Sequence, residues 1–366
     1  MKPKKILSLI CLGLSLLIIF EFNEIWYVFS KTSYESVAQI TFNKNSDFEY
    51  RATLDHLDEG FVVMEQSSLT FYDELGNRIW SKNLTSENTL ISTGTDRFVI
   101  AEKKAGDVFI LSQSGEILSS ILGLGKITDV NLFEDTFVGV LKADGNLNMY
   151  DEKLNLLGVT NLPKGEMITY DVNAEHQDIV MGILDLSRTD FNSKLVIGGF
   201  NGTIMSGSNL IQDLIYAIDL TPKEMFVTTD HQLRIYTYDS TLIQAIDFDR
   251  TLHHIVFDSV AQQILLQLTN DEASIDNPKA KQTLVCYDAK GQIIFELTLP
   301  LDEIEGVKLF KDKLCVYNTR EVVILDKEGR VQERYLGKEP IKDVLLTTLD
   351  TFGIVYDNSM VVYAKK

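Results

Sequence analysis

Residues 71–80 read FYDELGNRIW. Two aromatics lead into Asp73, Gly76 stands three residues later, and an alternating strand resumes at Arg78-Ile79-Trp80. An Asp side chain caps a turn through the N–H groups that follow it, and Gly takes the positive φ of a type I turn with a bulge. The stretch therefore predicts a β-hairpin. It recurs as ILSQSGEIL (Ile110–Leu118), MYDEKLNLL (Met149–Leu157), TYDSTLIQAI (Thr237–Ile246), CYDAKGQII (Cys286–Ile294) and ILDKEGRVQ (Ile324–Gln332). A degenerate copy is IGGFNGTIM (Ile197–Met205), and VYAKK (362–366) is a truncated one. With Asp73 as the marker, its equivalents are Ser112, Asp151, Gly199, Asp239, Asp288, Asp326 and Ala364, at steps of 39, 39, 48, 40, 49, 38 and 38 residues. Leu154 and Leu242 stand where the other turns have Gly, so those two hairpins are expected to close differently.

Each period holds two earlier strands, for example Glu49 to Leu54 and Gly60 to Glu65, or Ile127 to Leu132 and Thr136 to Lys142. No stretch past residue 45 keeps a 3.6-residue period. Four short strands per repeat is the pattern of a β-propeller blade. Eight markers predict an all-β fold with a single eight-bladed propeller, with seven blades and one irregular unit as the alternative. The last unit ends after its third strand. Val37 to Phe42 is strand-like and precedes the first unit, so it is expected to supply the missing fourth strand and close the ring without an open sheet edge.

The chain opens MKPKK, and residues 6–20 carry no charge. A basic flank before an apolar run is the grammar of signal peptides and signal anchors. Fifteen helical residues fall short of a hydrocarbon core about 30 Å thick, whereas extension to Phe29 suffices. The expected order is a cytoplasmic basic flank (1–5), a transmembrane signal anchor (6–29), a short linker (30–36) and the propeller (37–366), in a single-pass protein of the cell membrane whose body is extracytoplasmic. A cleaved signal is the alternative. The formal net charge is −19, which argues against nucleic acid as a partner. Beyond residue 30 only Cys286 and Cys315 remain, both expected as buried hydrophobes.

The run FYDELGNRIW resembles the quinoprotein-like (PQQ-type) repeat, whose blades show an aromatic-Asp turn, a Gly and a Trp closing the fourth strand. The resemblance spreads over residues 37–366 and is specific for fold. Propellers of this kind include binding scaffolds of the BamB type and quinone-dependent dehydrogenases. In layout the chain is similar to a family of membrane-anchored propellers of unknown function from Gram-positive bacteria. The dehydrogenases hold a quinone between a Trp and adjacent cysteines with calcium beside it; adjacent cysteines are absent from this sequence.

Other chemistry is sparse. His253 and His254 are adjacent, so a strand points them to opposite faces. Gly123 to Thr128 lacks the spacing of a phosphate loop. Asp247 and Asp249, like Asp271, Glu272 and Asp276, read as solvated acidic loops. No catalytic, cofactor-binding or metal-binding residues are assigned, and no cofactor is expected. The two long steps mark insertions between the second and third strands of two blades, 185–193 and 270–281. Candidate interaction residues there are Asp185, Arg188, Asp190, Phe191, Asn192, Asp271, Glu272, Ile275 and Asp276. The expected function is a non-catalytic interaction scaffold with an envelope protein as partner. A ligand- or carbohydrate-sensing propeller is the alternative, with the carboxylates Asp129, Asp171, Asp219 and Asp343 deciding between them.

Overall fold

The computed structural model describes residues 34–42, 53–57, 60–65, 67–84, 88–161, 165–186, 192–269, 282–299, 301, 303–310, 313–326, 329–347 and 350–366. The expected flank, the anchor and most of the linker lie outside them. Among the described residues no helix is long and apolar enough to cross a membrane.

The described strands form eight four-stranded antiparallel sheets. Seven sheets take their strands in sequence order, inner to outer. In the eighth, Tyr34–Thr41 pairs with Ser359–Lys365 as the outermost strand. That closing strand begins at Tyr34, three residues before the stretch read from sequence. The inner strand of blade 1 is Thr53–Leu57, displaced from the expected Glu49 to Leu54. Consecutive sheets pack face to face, and second strands carry buried apolar runs such as Phe61-Val62-Val63 and Phe98-Val99-Ile100. Burial on both faces explains why these strands read as continuous apolar runs rather than alternating ones.

The hairpin turns form as expected where Asp and Gly are present. The Asp73 Oδ1 accepts the N–H groups of Leu75 and Asn77 at 3.0 and 2.8 Å, and Gly76 sits at φ 80°. Asp151 and Asp288 repeat the arrangement. Two expectations need correction. Leu154 does not change its turn: it takes φ 58° itself and donates to Asp151 O at 2.9 Å. A left-handed non-glycine residue costs about 1 kcal/mol, and burial of the Leu154 side chain between blades offsets that. In blade 5 the turn-opening residue is Thr237, not Asp239. Thr237 exchanges the closing bonds with Ser240 and Thr241, and Ser240, at φ 66°, takes the place of Gly. Leu242 belongs to the outer strand.

Each turn docks on the outer strand of the blade before it. Trp80 lies between Phe71 and Phe98, ring centroids 5.9 and 6.0 Å away. Its Nε1 donates to Gln113 O at 2.6 Å. A Cβ on Gly115 would come within 2.8 Å of the indole, so this turn needs glycine for close approach as well as for its φ. Gly291 meets Ile246 and Gly329 meets Leu297 in the same way, and Ala38 of the closing strand meets Gly76. Trp80→Ala is expected to lower stability by about 3 kcal/mol. Urea unfolding checks it; an unchanged midpoint would mean the Trp80 contact carries no load.

Candidate functional site

The inner strands are not equivalent around the ring. Those of blades 3 to 6 are Ile127–Phe133, Glu166–Asn173, Ile215–Leu220 and Thr251–Asp258. Each is paired to its neighbour with a register shift near its start. The inner strands of blades 1, 2, 7 and 8 pair without one. A β-bulge sets two residues against one and turns the extra side chain out of the ladder. The residues so turned out are Thr128, Ile168, Tyr216 and His253, all exposed. They stand at the end of the ring that carries the links between blades. The turns between second and third strands are on the same face, and with them the bases of both insertions, in blades 4 and 6. His254, next to the bulged His253, is half-buried, and burial holds its imidazole below the usual range.

Between blades 3 and 4 a cleft of about 620 Å³ opens on this face, lined among others by Thr128, Asp129, Asn131, Lys142, Glu166 and Tyr170. Asn131 Nδ2 donates to Asp129 Oδ2 at 2.7 Å and contacts Tyr170 Oη at 3.0 Å. Burial pushes the Tyr170 phenol far up, so it stays neutral. Deeper along the inner strands, Asp171 and Asp219 face the ring interior in adjacent blades. Asp171 accepts the N–H groups of Val172 and Leu220 at 2.8 and 3.1 Å. Asp219 Oδ2 accepts no hydrogen bond from a described residue. Burial raises Asp171 to about 6 and Asp219 to about 7, with Asp171 adding to the second shift. Across the ring Asp343 pairs with Lys308 at 3.1 Å and accepts the Tyr317 hydroxyl at 2.8 Å. Among the described residues the inner surface therefore shows no ring of free carboxylates: Asp343 is paired with a cation, whereas Asp129 accepts from an amide, Asp171 from backbone N–H groups, and Asp219 Oδ2 from none.

Asp185 and Asn192 are buried at the base of the blade 4 insertion. Asp185 N–H donates to Asn192 O at 2.8 Å, and Lys194 Nζ sits 2.8 Å from Asp185 Oδ2. Asn192 Oδ1 accepts from Gln212 N at 3.1 Å. These two candidates fasten the loop rather than offer contacts. Leu186, which sequence reading passed over, is 63% exposed immediately beyond them. Arg188, Asp190, Phe191, Asp271, Glu272, Ile275 and Asp276 lie outside the described residues.

The fold assembles one cluster that sequence reading missed. His231 Nε2 is 2.8 Å from Asp213 Oδ1, and its Nδ1 is 3.0 Å from Asp230 Oδ1. Arg234 Nη2 is 2.5 Å from Asp213 Oδ2. Asp213, Asp230 and His231 present one ligand atom each within the compass of a metal ion. Yet both imidazole nitrogens already have carboxylate partners, and Arg234 is bound to the same buried Asp213. The arrangement is an ion network that ties the link between blades 4 and 5 to the neighbouring turn, where Leu214 N also donates to Asp230 Oδ1 at 3.1 Å.

Gly123 to Thr128 makes no phosphate cradle: Gly123 N–H is taken by Asp107 Oδ1 at 2.8 Å. Cys286 and Cys315 are free and buried in different blades, and burial pushes the Cys286 thiol up to about 12. Trp80 is committed to the outer packing of blades 1 and 2.

The fold is shared with solved propellers. BamB from Moraxella catarrhalis matches over 90% of this chain and 99% of its own, at 10% identity and a TM-score of 0.57. The C-terminal WD40 domain of Sif2 matches over 90% of this chain and 98% of its own, at 9% identity and a TM-score of 0.65. These likenesses concern architecture alone. No curated protein matches the chain in sequence. A model described as a family of unknown function (DUF5711) matches residues 28–363.

Proposed function

We propose that this chain, which belongs to the DUF5711 family of unknown function, is a non-catalytic protein-interaction scaffold of the cell envelope, held to the membrane by residues 6–29. The half-ring of blades 3 to 6 receives the partner. The observation that carries this reading is coincidence on one face: four bulged inner strands and both insertion bases fall in the same four blades. Ile168, Leu186, Ile211 and Tyr216 are exposed there, over a base fixed by the Asp185–Lys194 and Asp213–Arg234 ion pairs. Apolar contacts on a rigid frame with charged surroundings are how interfaces are built. The structural likeness to BamB and to a WD40 domain agrees with a binding role. With 51 acidic against 31 basic residues after residue 30, the body favours a partner with a basic or polar surface.

A photo-crosslinking residue at Tyr216, in the native membrane, is expected to capture one envelope protein. Replacing 186–191 and 270–281 by two-residue Asn-Gly turns is expected to keep the melting temperature and abolish that adduct. An adduct of undiminished yield would move the site off this face.

A further inference from the structure

The outer strands carry a second pattern. In all eight blades the pairing of third and fourth strands shifts register just after the turn. Two consecutive residues of each outer strand therefore turn away from the ladder together. In every one of blades 2 to 6 both are aliphatic or Met and both are exposed. Ile117 and Leu118 are 51% and 48% exposed, and Leu156 with Leu157 and Ile293 with Ile294 repeat them. Ile79 in blade 1 and Val37 in the closing strand hold equivalent positions and are exposed too. The series thins elsewhere: the companion of Ile79 is Arg78, that of Val37 is Ser36, and blade 7 has Gln332. The result is an apolar belt on one rim of the ring, the rim opposite the half-ring face described above.

The chain enters the ring at that same rim. Tyr34 pairs with Lys365, at the end of the third strand where the other blades make their turns. Four residues separate Phe29, the end of the apolar segment, from Tyr34, and the five steps between them span at most about 17 Å when fully extended. The headgroup layer takes up roughly 5–8 Å of that distance. A ring tethered so closely cannot stand more than about 10 Å clear of the headgroups at this point.

We infer that this rim rests in the lipid headgroup layer, with the exposed aliphatic pairs against it and the half-ring of blades 3 to 6 facing away from the membrane. The inference rests on the anchoring in the function proposed above. The acidity of the body fits a zwitterionic rather than an anionic surface.

The test uses the full chain with Cys11→Ser, reconstituted in phosphatidylcholine vesicles that carry a headgroup nitroxide. Single cysteines at Leu118, at Leu157 and, on the opposite face, at Ala143 carry an environment-sensitive dye; buried Cys286 and Cys315 stay unlabelled. Quenching several-fold stronger at Leu118→Cys and Leu157→Cys than at Ala143→Cys is the expected result. Protein that floats with vesicles in high salt but is quenched equally at the three sites overturns the orientation and leaves the anchor standing. Protein that does not float overturns both. Disulfide-linked dimers through Leu118→Cys without quenching would assign the belt to a second copy and overturn the lipid contact.

Discussion

Deleting Tyr34 to Phe42 is expected to destabilise the ring by roughly 5–9 kcal/mol, most of the stability of an ordinary domain. Three side chains of this strand are buried between blades: Tyr34, Ile40 and Phe42, at 7%, 5% and 5% exposure. Tyr34 stands edge-on to Phe352 at 5.3 Å. Ile40 and Phe42 pack with Phe61, Val63 and Met360, so they join blade 8 to blade 1. Each is worth about 1.5–3 kcal/mol of apolar burial. The deletion also leaves Ser359–Lys365 as an unpaired edge, open to association with other chains. Circular dichroism melting of the full chain in detergent checks this. Ile40→Asp serves as a milder variant with the same sign; a deletion that melts with the parent would remove the closing strand from the stability of the ring.

Asp219→Asn is expected to stabilise the protein by up to about 4 kcal/mol at pH 8, and by close to nothing at pH 4. The carboxyl titrates near 3.8 when free and at about 7 in the folded ring. Between those values the folded chain holds a proton that the unfolded chain has lost. The contribution of Asp219 is therefore fully present below pH 3.8, falls as pH rises through the window, and stays lost above about 7. Asp171, raised to about 6, adds the same sign over a narrower window. An amide keeps the shape and cannot ionise, so the variant lacks this part of the pH slope. Urea midpoints at pH 4, 6 and 8 measure it. Equal slopes for parent and variant would show that the group is well solvated when charged.

The repeat was legible because it rests on local chemistry. An Asp that caps its own turn and a Gly at positive φ need no distant partner, so FYDELGNRIW and its copies spell the hairpin wherever they stand. The same locality explains the misplacement in blade 5. Asp239 has the residue type of a marker, but Thr237 makes the turn, and only the bonds to Ser240 and Thr241 distinguish the two. Leu154 misled for a related reason: its left-handed backbone is compensated by burial in the neighbouring blade's packing, which no local rule contains.

The candidate site was less legible. Asp213 and His231 are 18 residues apart in sequence and meet because the link between two blades crosses the next turn. Leu186 was visible as a residue but not as an exposed one. By itself the sequence determined the four-strand repeat, the hairpin chemistry, and a strand ahead of the first repeat free to close the last. All of these follow from periodicity and turn propensity. The eight sheets of the structure decided between eight blades and seven. Only the tertiary structure decided which inner strands bulge, which acids lie buried without a cation, and which apolar pairs face outward. Bulges are set by strand register, and burial by neighbouring blades, and both depend on residues roughly 40 positions away in a ring whose repeat is about one blade long.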